Sequence, residues 1–182
     1  CSKGSESSRI SQRANLTHVY LMPLTNIQKI ALVRRNGLGD MLCAMPLLLY
    51  LKEKAPQASI SLFCDKSNAS LLPFLPQVEE IIEFSPGNKY LSVLGCAWAH
   101  RSKKFDLAIS GKTSPMKLIN FFLYTLGARR SIATVDNSWH RSLITDKVPY
   151  SESKARSLHQ SLKALQLLDP TIKEIPQHLY PT

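Results

Sequence analysis

A single Rossmann-like α/β domain, with a mostly parallel sheet and helices on both faces, is the fold this sequence predicts. Three observations predict it. From Lys29 onward, short β-branched and aliphatic runs alternate with stretches of helical apolar spacing. A two-glycine loop joins the first such run to the first helix. The 182 residues, 44% hydrophobic and 20% charged, suffice for one sizeable core but not for two full α/β domains.

Residues 1–26 are Ser-rich and polar without sustained periodicity and read as a mobile tail. The chain opens on Cys1 rather than methionine, as a processed chain or a fragment would. "CSKGSESS" also suits the lipid-bearing end of a bacterial lipoprotein. "KIALVRR" (29–35) predicts the first strand, and the stretch from Met41 to Ala55 the first helix, with Pro46 bending its axis. "SISLFCD" (59–65) predicts strand two, "NASLLPFL" (68–75) a short helix, "VEEIIEF" (78–84) strand three and "YLSVLGCAWAHRSKK" (90–104) a helix. "FDLAISG" (105–111) predicts strand four and "PMKLINFFLYTLG" (115–127) a helix capped by Gly127. "RRSIAT" (129–134) predicts strand five, Trp139 and His140 fall in a loop, and residues 151–168 carry helical apolar spacing. The domain is expected over 27–168, with the Pro-punctuated 169–182 as a linker.

Right-handed crossovers place every strand-to-helix loop of such a sheet along one edge, where ligands bind. The loop "RNGLGDM" therefore lies where chemistry is expected. Gly37 and Gly39 match the start of a dinucleotide fingerprint, but the third glycine falls at Leu42, and nicotinamide or flavin binding is not predicted. Two glycines permit positive φ and close approach of a ligand. Asp40 is a candidate cap for the following helix and a candidate carboxylate facing the cleft, where it would accept a proton from a substrate hydroxyl; its two oxygens allow both roles at once. In "SGKTSPMK" (110–117), Gly111, Lys112 and Thr113 end like a P-loop. Asp106 occupies the position of its first glycine, so ATP hydrolysis is rejected. What remains is either a modest anion site at Lys112 or an ordinary Ser/Thr cap beside an exposed lysine. Arg34 and Arg35 end the first strand at the ligand edge, one directed to the cleft and the other to solvent or an acidic neighbour. Arg129 and Arg130 begin the fifth strand and so fall at the opposite edge, unless that strand starts later. His140 and Arg141 are placed to touch an acidic substrate, and His159 reads as structural.

Net charge is +10, with 23 basic against 13 acidic residues. It favours anionic partners: nucleic acid, lipid headgroups, or phosphorylated and acidic glycans. No recognition-helix or aromatic RNA-binding signature accompanies that charge, so no specific nucleic-acid partner is expected. Cys43, Cys64 and Cys96 show no ligand spacing and read as reduced, buried thiols of a cytoplasmic protein. The five histidines show neither metal spacing nor a Ser-His-Asp order, and neither metal nor cofactor is expected. The longest apolar run, Met41 to Leu51, is far short of a bilayer span.

"KIALVRRNGLGDMLCAMPLLLYLKEKAPQASISLF" resembles the opening of the lipopolysaccharide heptosyltransferases of glycosyltransferase family nine. "LLPFLPQVEEIIEF" and "FDLAISGKTSPMKLINFFLYTLGARRSIA" resemble the units that follow, so the likeness runs over roughly 29–168 and is sharpest at Gly39-Asp40. The resemblance implies the acceptor-binding, N-terminal half of a GT-B fold. In that family the acceptor is a growing core oligosaccharide on lipid A, and a nucleotide-heptose donor binds the C-terminal half. It implies an inverting, metal-free transfer with Asp40 as general base, while Gly37, Gly39, Arg34, Arg35, Lys112, Thr113 and Arg141 hold an acidic acceptor. The donor half and its motif are absent from these residues, so the chain alone is expected not to transfer sugar. Peripheral association with the inner face of the inner membrane is a further expectation. The competing reading is a stand-alone, non-catalytic module that binds an anionic glycan, lipid or protein.

Overall fold

The computed structural model describes residues 24, 26–35, 37–69 and 75–180. Almost all of the expected tail, Asn36 of the glycine loop and residues 70–74 of the expected helix at 68–75 lie outside them. Six strands form one sheet in the order β3-β2-β1-β4-β5-β6: β1 (Lys29–Arg34), β2 (Ser59–Cys64), β3 (Glu80–Glu83), β4 (Leu107–Ser110), β5 (Arg130–Val135) and β6 (Asp146–Pro149). Every pairing is parallel, with Leu32 aligned to Leu62 on one side and Ile109 on the other. The sheet is thus wholly parallel, and it carries a sixth strand that the sequence reading missed.

Period-two alternation assigns each side chain of β1 to a layer. Ile30 and Leu32 join Leu47, Leu48 and Leu51 of α2 (Met45–Lys54) in one buried cluster, which Ala164 and Leu167 close from the C-terminal region. Ala31 and Val33 face the other cluster, with Val93 and Ala97 of α4 (Lys89–Ala99) and Phe122 and Leu126 of α5 (Lys117–Leu126). Phe63 lies at its centre, edge-on to Phe105 and Phe122. A fully buried leucine contributes roughly 1.5–3 kcal/mol. The sheet is therefore held from both faces. The Asp106 carboxylate accepts from the backbone N–H groups of Gln28 and Lys29, pinning the start of β1 beside β4.

The expected helix from Met41 to Ala55 is two helices, α1 (Leu38–Leu42) and α2, separated by a turn at Cys43 and Ala44. Pro46 therefore bends nothing. It sits in the first turn of α2, where a missing N–H removes no hydrogen bond. A short α3 (Lys66–Ala69) follows β2. The helix expected over 90–104 stops at Ala99, and a 3-10 turn at Arg101–Lys103 follows. The stretch 151–168 is also divided, into α6 (Glu152–Ser157) and α7 (Gln160–Leu165). His159 is the N-cap of α7, its Nδ1 accepting from the N–H of Ser161 at 3.3 Å. Beyond it, residues 169–180 lie back against α2: Tyr50 donates to Asp169 at 3.1 Å, His178 meets Glu53 at 3.0 Å, and Leu179 is buried.

Candidate functional site

All six strands point the same way, so their carboxyl ends share one edge. The ends of β1, β4 and β6 there surround a cleft of about 370 Å³. Arg34 comes from the last position of β1 and Asp40 from α1. Lys112, Thr113 and Ser114 come from the loop after β4, Tyr150 from just beyond β6, and Gln160 and Lys163 from α7. Three cations and one carboxylate line it, with hydroxyl and amide groups between them.

Asp40 is not a helix cap. Gly37 holds the N-cap position of α1 and no side chain caps that helix. Asp40 falls in the first turn, where a carboxylate complements the free N–H groups. Its Oδ1 lies 3.2 Å from Nη2 of Arg34, its side chain is 38% exposed, and among the described residues nothing hydrogen-bonds Oδ2. The Asp40 side chain is part of the cleft lining.

Arg34 behind it is only 4% exposed, and its side chain carries the contact. Its Nη1 donates to the Gly111 carbonyl. Burial lowers the Arg34 pKa, because desolvation penalises the charged form, and Asp40 opposes that shift. Gly111 explains why the loop after β4 can lie so close. A β-carbon there would stand 3.1 Å from the Val33 carbonyl oxygen and 3.2 Å from Cδ of Arg34. Gly37 and Gly39 behave otherwise. Neither is among the glycines with positive φ, and a β-carbon at either would meet nothing within 4 Å. The expected conformational need for them is not there; both face open space at the rim.

The GKTS loop is likewise not a cap. The N-cap of α5 is Met116, without a side-chain cap bond. Thr113 instead donates from Oγ1 to Oε1 of Gln160 at 2.6 Å, tying the loop to α7.

Arg35 points away from this cleft. Its Nε and Nη2 donate to Oδ1 of Asp65 at 3.2 and 3.0 Å, and its guanidinium lies 5.3 Å from the Phe84 ring centre. It borders a second hollow of about 740 Å³ beside β2 and β3. Arg141 borders neither. It lies exposed in a 3-10 turn at Trp139–Leu143 and donates to Oδ1 of Asn137 at 3.2 Å. His140, expected to be available to an acidic substrate, is buried. Asn120 donates to its Nδ1 at 2.9 Å, and its Nε2 lies 2.7 Å from Oγ of Ser138. It holds the turn together. Arg130 pairs with Asp146 at the amino ends of β5 and β6.

The sequence reading gave no role to Tyr150, Gln160 or Lys163. Tyr150 follows the strand that was not recognised. Gln160 and Lys163 fall in a stretch whose apolar spacing points only to a packed helix face. The polar positions between Leu162, Ala164 and Leu165 were the available signal.

Fold and cleft together define a class: a Rossmann-like parallel α/β domain with a basic, hydroxyl-lined hollow at the carboxyl edge of its sheet. Among solved structures, that fold is shared by a glycosyl transferase family 9 protein from Veillonella parvula DSM 2008 (TM-score 0.67, 18% identity, 81% of this chain and 42% of that one). It is shared too by the ADP-heptose lps heptosyltransferase II of E. coli (TM-score 0.63, 20% identity, 78% and 40%). E. coli heptosyltransferase WaaC, solved with ADP-2-deoxy-2-fluoro heptose, also matches (TM-score 0.61, 13% identity, 82% and 50%). The chain thus spans between 40 and 50% of the length of these structures. No protein-family model and no curated protein matches it.

Proposed function

We propose that this chain is the acceptor-side, N-terminal domain of a heptosyltransferase-like glycosyltransferase acting on the lipopolysaccharide core. The supporting observation is the half-exposed Asp40 carboxylate in the cleft lining, held through Oδ1 by buried Arg34. In this reading the carboxylate takes the proton of an acceptor hydroxyl. The hydroxyl oxygen attacks the anomeric carbon of the donor sugar, the bond to the nucleotide diphosphate breaks, and configuration inverts. Arg34 fixes the rotamer of the carboxylate, a positioning role. Lys112, Lys163, Thr113 and Tyr150 hold the acceptor, whose negative charge matches the cationic lining.

Donor binding falls to a second domain, as the sequence resemblance implies. The 182-residue chain should therefore bind a deacylated, phosphorylated core oligosaccharide yet leave ADP-heptose unconsumed. Isothermal titration of that oligosaccharide is the test. Lys112→Ser should weaken binding about tenfold, the scale of one charge-assisted contact. Asp40→Asn should leave affinity within about twofold, because a proton acceptor is needed for chemistry and not for binding. Absence of saturable binding, or affinity indifferent to Lys112, would refute the reading.

A further inference from the structure

Two separate pieces of chain, the loop over 111–116 after β4 and the start of α7, face each other across the cleft. Gln160 is the lining residue with neither a charge nor a hydroxyl. Its contact nevertheless joins the two walls. Thr113 Oγ1 and Gln160 Oε1 are 2.6 Å apart, the length of an O–H···O bond and short for N–H···O. The hydroxyl therefore donates, and the amide offers its carbonyl oxygen.

The two halves of the loop are held differently. Its first residue is pinned to β1: the Gly111 N–H donates to the Val33 carbonyl at 2.8 Å, and the Gly111 carbonyl accepts from Arg34. Ser110 Oγ then accepts from the Lys112 N–H at 3.2 Å. Beyond Lys112 the chain runs through Ser114 and Pro115 to Met116, which gives α5 no side-chain cap. Among the described residues, the bond to Gln160 is the one side-chain hydrogen bond made by residues 113–116. Its other end stands on a firm support. Ala164 and Leu165 of α7 are buried, Ala164 in the same cluster as Ile30 and Leu32, and His159 caps the helix. The loop that carries Lys112 is thus pinned to β1 on one side and to α7 on the other.

We propose that Gln160 is a positioning residue of the cleft: by holding Thr113 it fixes the segment bearing Lys112 where the acceptor's anionic group is met. This role rests on the proposed acceptor function of the cleft. The advantage is preorganisation, because a loop that is already ordered loses less freedom when a ligand binds. The bond is exposed, so water competes for both partners, and a neutral hydrogen bond of that kind sets an effect of about three- to fivefold in affinity.

The test is a double-mutant cycle of Gln160→Leu and Thr113→Val in the 182-residue chain. It has two readouts: backbone amide order parameters over 112–114 without ligand, and titration with a deacylated, phosphorylated core oligosaccharide. Gln160→Leu should lower the order parameters and weaken binding about three- to fivefold. The double variant should be no more mobile and bind no worse than Thr113→Val alone. Gln160→Glu keeps an oxygen for the Thr113 hydroxyl and should retain the rigid loop, a rescue that a residue merely filling space would not show. Circular-dichroism melts confirm that each variant folds. Order parameters untouched by Gln160→Leu, or losses that add in the double variant, would overturn the proposal, since Gln160 would then act without Thr113. Failure of the acceptor function looks different: the wild-type chain would not saturate with oligosaccharide. A loop that still loosens on Gln160→Leu would then support the hold of Gln160 on Lys112 while refuting the acceptor.

Discussion

Arg34 and Asp40 depend on each other unequally. The guanidinium is buried and the carboxylate half-exposed, so solvent screens much of their attraction. Asp40→Asn should therefore lower stability by about 1 kcal/mol in urea unfolding. Arg34→Ala should cost about 3 kcal/mol, because it also strands the Gly111 carbonyl in the interior. Tyr50 offers a pH readout at the same scale. Burial, reinforced by Asp169, pushes its phenol up to about 12. The folded state thus favours the protonated phenol. Its contribution is complete below the unfolded tyrosine value of about 10 and is lost as pH rises through about 12. A phenolate absorbance titration should show one late-ionising tyrosine, absent in Tyr50→Phe. Asp40 itself was recognisable in the sequence as a candidate beside a glycine loop. Its partner was not separable from Arg35, since only strand alternation, realised in three dimensions, sends Arg34 to Asp40 and Arg35 to Asp65.

Elements with hydrophobic cores of their own were legible in the sequence: β1, β2 and the α4 and α5 helices occur close to where apolar spacing puts them. Gly127 also ends α5 as expected, with φ of 67°. A β-carbon there would lie 2.9 Å from Cζ of Arg101 as well as in the left-handed region. Gly127→Ala should accordingly cost about 1 kcal/mol or more in thermal unfolding. Pro46→Ala should change little, because the first turn of α2 asks for no N–H there. What the sequence hid were breaks and edges. Cys43 and Ala44 interrupt a run that is apolar throughout, so periodicity carries no sign of the turn. β6, "DKVP", is a half-exposed edge strand containing a proline and charges, composition that reads as loop until its pairing with β5 is seen.

At the scale of the whole molecule, one parallel sheet separates two helical layers and gathers the strand ends on a third surface. That arrangement places the Asp40 cleft at the carboxyl edge. Central β1 and β4 are paired on both sides, whereas β3 and β6 are the edge strands among the described residues. Amide hydrogen exchange should be slowest in β1 and β4 and faster in the two edge strands. The position of the cleft followed from strand–helix alternation alone, but its full lining did not. Tyr150, Gln160 and Lys163 come from the last third of the chain and meet Asp40 only through the sheet order. The most direct measurement is amide chemical-shift mapping of the labelled chain titrated with a deacylated, phosphorylated core oligosaccharide. Saturable shifts concentrated at Gly37–Met41, Gly111–Ser114 and Gln160–Lys163 are expected if the cleft holds the acceptor. Shifts confined to the hollow by Arg35 and Phe84, or none at saturating sugar, would contradict it.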